Sequence, residues 1–210
     1  LFKINEKKSL IKYGNPQYWD TSLVDDMSFL FYNISNESHK YNFKYDISLW
    51  DTSNVKKMNN MFSTNYNKIY YNISNWDVSN VEDMESMFEK CYHYNFNISN
   101  WNVSKVNNMS KMFYCSYVSN KNDFSKWNVS NVVTMNSMFS FSSFDGDISK
   151  WDVSNVYEMQ SMFEGTTEFN HPIGNWNVGN VVNMGRMFCN SIKFNQELNN
   201  WDVSNVACMY

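Results

Sequence analysis

The stretch WDVSNVEDMESMF, residues 76–88, recurs with small changes along the chain, and its reading decides the fold. Its tryptophan returns as Trp19, Trp50, Trp76, Trp101, Trp127, Trp151, Trp176 and Trp201, at intervals of 31, 26, 25, 26, 24, 25 and 25 residues. All 8 tryptophans and all 14 methionines of the chain stand in copies of the phrase. A fixed period of this length marks an array in which each unit buries its apolar face only against its neighbours. The single long interval, after Trp19, places an insertion in YNISNESHKYNFKYD (32–46), which is expected to loop away from the array.

Within one unit the apolar positions are Ile98, Trp101, Val103, Val106, Met109, Met112 and Phe113. Trp101 and Val103 lie two apart, the period of a strand, and Ile, Trp and Val suit a pleated surface. From Val106 the spacing becomes three, three and one, which fits one face of a short helix. Ser79 and Glu82 between the segments read as a capping box for that helix, and Gly179 replaces the serine in one copy. The fold class expected is therefore α/β: a solenoid of about eight coils, each with one short parallel strand and one short helix. Trp50, Trp76, Trp101, Trp127, Trp151, Trp176 and Trp201 would form its interior column, with methionine filling the irregular gaps between rings. Residues 1–16 read as a polar N-terminal segment or cap, and 17–210 as one repeat domain that stops inside its last coil. That stop, and the start at Leu1, suggest a longer or processed parent chain.

The totals exclude some partners. Seventeen basic and 21 acidic residues give a net charge of −4 with no block of like charge, so the clustered cations that nucleic acid or an anionic membrane requires are missing. No apolar run approaches the roughly 20 residues that span a bilayer, so no direct membrane insertion is expected of this segment. Cys91, Cys115, Cys189 and Cys208 form no CxxC pair and read as separate thiols, with a Cys91–Cys115 bridge between neighbouring repeats as the alternative.

The residue after each tryptophan gives a column: Asp20, Asp51, Asp77, Asn102, Asn128, Asp152, Asn177 and Asp202. Pointing outward, it is a candidate binding column for a cation or a basic ligand surface. The plainer reading is a solvated face whose Asp and Asn bond to nearby backbone. A second ladder, Asn54, Asn80, Asn131, Asn155, Asn180 and Asn205, interrupted by Lys105, reads as a bridge between successive coils. His39, His93 and His171 sit at unrelated phases with no metal-ligand spacing, and no nucleophile or phosphate-loop motif occurs. No catalytic residue, metal or cofactor is expected. Asn-x-Ser sequons at Asn33, Asn36, Asn72, Asn97, Asn102, Asn108 and Asn128 follow from the Asn and Ser content.

The frame Ile148, Trp151, Val153, Val156, Met159, Met162 and Phe163 resembles the repeat of BspA-like leucine-rich-repeat surface proteins, and the closely related repeat of unknown function in mycoplasma lipoproteins. The resemblance runs from about Gln17 to Tyr210, with Leu30, Phe124 and Pro16 as departures. It implies a right-handed stack, carried on a cell surface or secreted, with adhesion or protein binding as its task. Related repeats in large DNA viruses add a virion as the other location. It supplies no catalytic residues.

The function expected is thus non-enzymatic: a repeat module that binds a protein or glycan on a cell or particle surface. Tyr92, Tyr94, Tyr114 and Tyr117 are contact candidates. The alternative is a structural spacer or shell component that self-associates through the open end of the stack.

Overall fold

The structure, a computed structural model, describes residues 6–33, 45–64, 72–92 and 97–210. The greater part of the 32–46 insertion, His39, His93, Tyr94 and the Asn36 sequon lie outside the described residues.

The α/β solenoid expectation fails. Among the described residues there is one α-helix, α1 (Glu6–Tyr13), followed by a 3-10 turn at Pro16–Tyr18, with no strand and no sheet. Neither the strand over Trp101–Val103 nor the helix after Val106 forms. What forms instead is a run of β-turns. In the unit that starts at Ile98, the N–H of Trp101 donates to Ile98 O (3.1 Å), Val106 to Val103 (3.0 Å), Met112 to Met109 (3.2 Å) and Ser116 to Phe113 (3.1 Å). Each turn closes residue i onto residue i+3, its two ends. The spacing of three that suggested a helix face is the spacing of turn ends.

Left-handed backbone keeps these turns from winding into a helix. Ser86 (φ 53°), Lys111 (55°), Ser137 (53°), Ser161 (55°) and Arg186 (59°) precede the second methionine of their units. Four residues later come Lys90, Cys115, Phe141, Gly165 and Asn190, all with φ between 51° and 66°. A residue at positive φ breaks the right-handed winding that every helical turn requires. Ser79 accordingly caps no helix; its N–H closes a turn onto Asp77 Oδ1 at 2.9 Å.

The units then bond layer to layer. Met84, Ser86, Phe88 and Lys90 donate their N–H groups to the carbonyls of Asn108, Ser110, Met112 and Tyr114, at 2.8–3.0 Å. The N–H groups between them stay inside the unit: Met87 donates to Met84 O and Glu89 to Ser86 O. Alternate amides thus serve the turn and the neighbour, and the backbone is satisfied without a ladder of regular strands. One parallel bridge joins each pair of neighbours, in the series Asp26, Lys57, Asp83, Asn108, Thr134, Glu158, Asn183, Cys208.

The core runs along the axis of this stack. Trp50, Trp76, Trp101, Trp127, Trp151 and Trp176 are 3–5% exposed, and Trp201 is half-buried. The phenylalanines Phe31, Phe62, Phe88, Phe113, Phe139, Phe163 and Phe188 form a column with ring centroids 5.4–5.9 Å apart and nearly parallel planes. A second, shorter column links Phe124, Phe144, Phe169 and Phe194 at 5.7–6.0 Å.

Candidate functional site

Tryptophan is demanded by a hydrogen bond as well as by volume. From Trp50 onward each indole N–H donates to the carbonyl three residues before the previous tryptophan, as in Trp76 to Ile47 (3.0 Å), Trp101 to Ile73 (3.2 Å), Trp176 to Ile148 (3.1 Å) and Trp201 to Ile173 (3.1 Å), while that of Trp19 donates to Tyr13 O at 2.8 Å. The same carbonyl closes its own turn, as in Trp101 N to Ile98 O at 3.1 Å. Because only the carbonyl is used, the departures at this position are tolerated. Pro16 O accepts the indole of Trp50 at 2.8 Å, and Phe124 O that of Trp151 at 2.9 Å.

The candidate column Asp20, Asp51, Asp77, Asn102, Asn128, Asp152, Asn177 and Asp202 is exposed throughout. Every member spends its Oδ1 on a local turn, accepting the N–H two residues on: Ser22, Ser53, Ser79, Ser104, Ser130, Ser154, Gly179 and Ser204, at 2.9–3.3 Å. The hydroxyl and N–H of the following serine hold the Asp20, Asp51, Asp152 and Asp202 carboxyls below the usual carboxylate range.

The second ladder crosses layers. Asn54, Asn80, Asn131, Asn155, Asn180 and Asn205 donate Nδ2 to the carbonyls of Ser22, Ser53, Ser104, Ser130, Ser154 and Gly179, each at 2.7 Å. Lys105 keeps the link in another form, donating Nζ to Asn80 Oδ1 at 2.6 Å. Gly179 can replace serine because the turn uses only its N–H and C=O.

One outward column was not singled out in the sequence. The residue after the second valine of each phrase is bonded backbone to backbone along the stack: Lys56 N to Asp25 O, Glu82 to Lys56, Asn107 to Glu82, Val133 to Asn107, Tyr157 to Val133, Val182 to Tyr157 and Ala207 to Val182, at 2.8–3.0 Å. Its first three members are charged, Asn107 is polar and uncharged, and Val133, Tyr157, Val182 and Ala207 follow. Val133, Tyr157 and Val182 are 36%, 46% and 42% exposed. The signal lay in the sequence as a change from polar to apolar at one phase of the repeat. Nearby, Phe141 is half-exposed and edge-on to Tyr114 with centroids 6.2 Å apart. Tyr92 and Tyr117 are also exposed.

Other groups pair locally. Cys91, Cys115, Cys189 and Cys208 are free thiols, so no Cys91–Cys115 bridge forms. Burial pushes the Cys91 and Cys115 thiols up, away from the nucleophilic thiolate. Buried Glu164 meets Arg186 Nη2 at 2.5 Å, and His171 Nε2 lies 3.2 Å from Asp145 Oδ1. Among the described residues no three His, Cys, Asp or Glu converge as metal ligands, and no helix is long and apolar enough to cross a membrane. A cavity of about 520 Å³ opens at the end of the stack between Phe188, Leu198, Trp201 and Val203. A more polar cleft of about 290 Å³ is lined by Asn122, Asp123, Asp145 and Asp147.

The family model described as Mycoplasma protein of unknown function, DUF285, matches residues 2–122 and 115–210. The chain belongs to that family. No curated protein and no solved structure matches it. The two family segments together take in every layer from Trp19 to Trp201.

Proposed function

We propose that this DUF285 chain is a non-enzymatic, adhesin-like binding module of the BspA-like kind, displayed on a cell or particle surface, and that its ligand is a protein. The observation that carries the reading is the apolar half of the outward column, Val133, Tyr157 and Val182. These residues have their backbone groups satisfied by the neighbouring layers, so the stack holds without their side chains. Earlier layers put Asp25, Lys56 and Glu82 at the same place, which supports the view that the fold tolerates polar groups there. Contiguous exposed apolar side chains with polar neighbours are the composition of a protein-contact patch. The Asp and Asn column, five residues earlier in each phrase, supplies a polar rim through its second oxygen or its amide.

The test is capture of a surface-exposed protein by the whole chain, repeated with Tyr157→Asp/Val182→Asp. Exposed substitutions change stability by no more than about 0.5 kcal/mol each. Loss of capture with an unchanged melting temperature supports the reading; capture that persists at full strength overturns it.

A further inference from the structure

The units are so alike that the same core residues would fit in a wrong order. A layer that skipped its neighbour and paired with the next one would still stack Phe on Phe and offer its carbonyls at the same spacing. Something has to make the skipped arrangement worse than the native one. The risk is greatest around the second layer, because the interval from Trp19 to Trp50 is 31 residues against 24–26 elsewhere. A longer connection costs little extra entropy to close around an omitted unit.

At the bridge, and at the outward residue before it, the first layer carries Asp25 and Asp26, the second Lys56 and Lys57, the third Glu82 and Asp83. Asp26 bridges Lys57, and Lys57 bridges Asp83. The backbone of Lys56 bonds to Asp25, and that of Glu82 to Lys56, at 2.8 Å. The native order therefore places two negative, two positive and two negative charges in succession. Omitting the second layer would set Asp25 and Asp26 directly against Glu82 and Asp83. Like charges on facing positions of neighbouring chain segments oppose pairing. Beyond the third layer the pattern stops: Asn107 and Asn108, then Val133 and Thr134, are uncharged.

We propose that this alternation of sign is a register code for the first three layers, fixing the order in which they stack. The code acts against an alternative fold. It needs no close ion pair in the native one, and none of the close ion pairs among the described residues joins these side chains. Its reach falls with salt, since nearly all of the six groups are exposed.

The experiment reverses the first layer in the full chain with D25K/D26K, which sets two positive layers together and invites the first layer onto the third. Cysteine pairs report the order. Ser28 hydrogen-bonds across the bridge to Asn59, and Asn60 N bonds to Glu85 O one layer further on, at 2.8 Å. S28C/N59C therefore joins neighbours. S28C/E85C spans two layers, about 10 Å, beyond the reach of a disulfide. With the parent charges only S28C/N59C is expected to oxidise. In the D25K/D26K background the S28C–E85C link is expected to rise several-fold at low salt and to fall back at high salt. A melting temperature reduced without that link overturns the proposal, the loss then coming from simple repulsion and from the turn bond that Asp26 Oδ1 accepts from Ser28 N at 2.8 Å. If D25K/D26K does not fold, full inversion by D25K/D26K/K56E/K57E/E82K/D83K decides by its cross-links alone, since it also removes the turn acceptors Asp26 Oδ1 and Asp83 Oδ1: the code predicts the parent's pattern, with only S28C/N59C oxidising. Failure of the inverted chain to recover that pattern overturns it.

Discussion

Aspartate and asparagine alternate freely after the tryptophans because the turn needs one acceptor oxygen and either residue provides it. Asn128 Oδ1 takes Ser130 N at 3.1 Å and Asp152 Oδ1 takes Ser154 N at the same distance. They differ in titration. The carboxyl of Asp152 is lowered in the folded chain by the Ser154 hydroxyl and N–H, so its contribution is full above the unfolded value near about 4 and is lost as pH falls through the folded value. Thermal melts should therefore weaken below about pH 4, and Asp51→Asn/Asp152→Asn should flatten that slope while leaving the neutral-pH melting temperature nearly unchanged. An equally steep acid slope in the double variant would place the titration elsewhere. Tryptophan offers a second test at this scale. Trp127→Phe removes the indole bond to Ile98 O, 3.3 Å long, and keeps most of the volume. A cost of about 1–3 kcal/mol is expected, against about 3–5 kcal/mol for Trp127→Ala, both read from chemical denaturation.

At the scale of the element, the turns explain what the sequence concealed. Met109, Met112 and Phe113 repeat at three and one, which a helix and a chain of β-turns produce alike. The residues that discriminate are those at positive φ, and they carry no signature: Lys111 and Ser137 are ordinary residues in a conformation that glycine or asparagine would normally hold. The strand reading failed for a related reason, since Trp101 and Val103 end one turn and begin the next. Lys111, exposed with φ 55°, gives a prediction: Lys111→Gly should relieve left-handed strain and stabilise by up to about 1 kcal/mol net of its own entropy cost. Lys111→Val should destabilise, and the pair can be compared in one denaturant series. Gly174 makes the opposite case. A Cβ there would meet Glu197 O at 2.3 Å, so Gly174→Ala must push two layers apart, at about 1–3 kcal/mol, whereas Gly179→Ala, where a Cβ meets nothing nearer than Asn177 Oδ1 at 3.4 Å, should cost far less.

Across the whole molecule the period was legible and the architecture built on it was not. Trp at 24–26 residues and the Asn54–Asn205 ladder state that units meet their neighbours, because each side chain makes its bond to the adjacent unit. Nothing in that spacing distinguishes strand-and-helix coils from turns, since both bury the same residues. The outward column was visible only as a drift from Asp25 to Val182, which no periodicity measure registers. Stability in such an array is a sum of unit and neighbour terms, so damage spreads by adjacency. Layers near Phe113 and Phe139 are covered on both sides and their core residues are fully buried, whereas Trp201 and Val206 are only half-buried. Hydrogen exchange should follow that gradient: the amides of Met109, Lys111 and Phe113 slowest, that of Ala207 fast despite its 2.8 Å bond to Val182 O. Trp127→Ala should then speed exchange first at Phe113 and at Met159, in the layers it touches, and last at Phe31 and Met184. Uniform acceleration along the chain would mean that the layers unfold as one cooperative block and that neighbour coupling is not what limits opening.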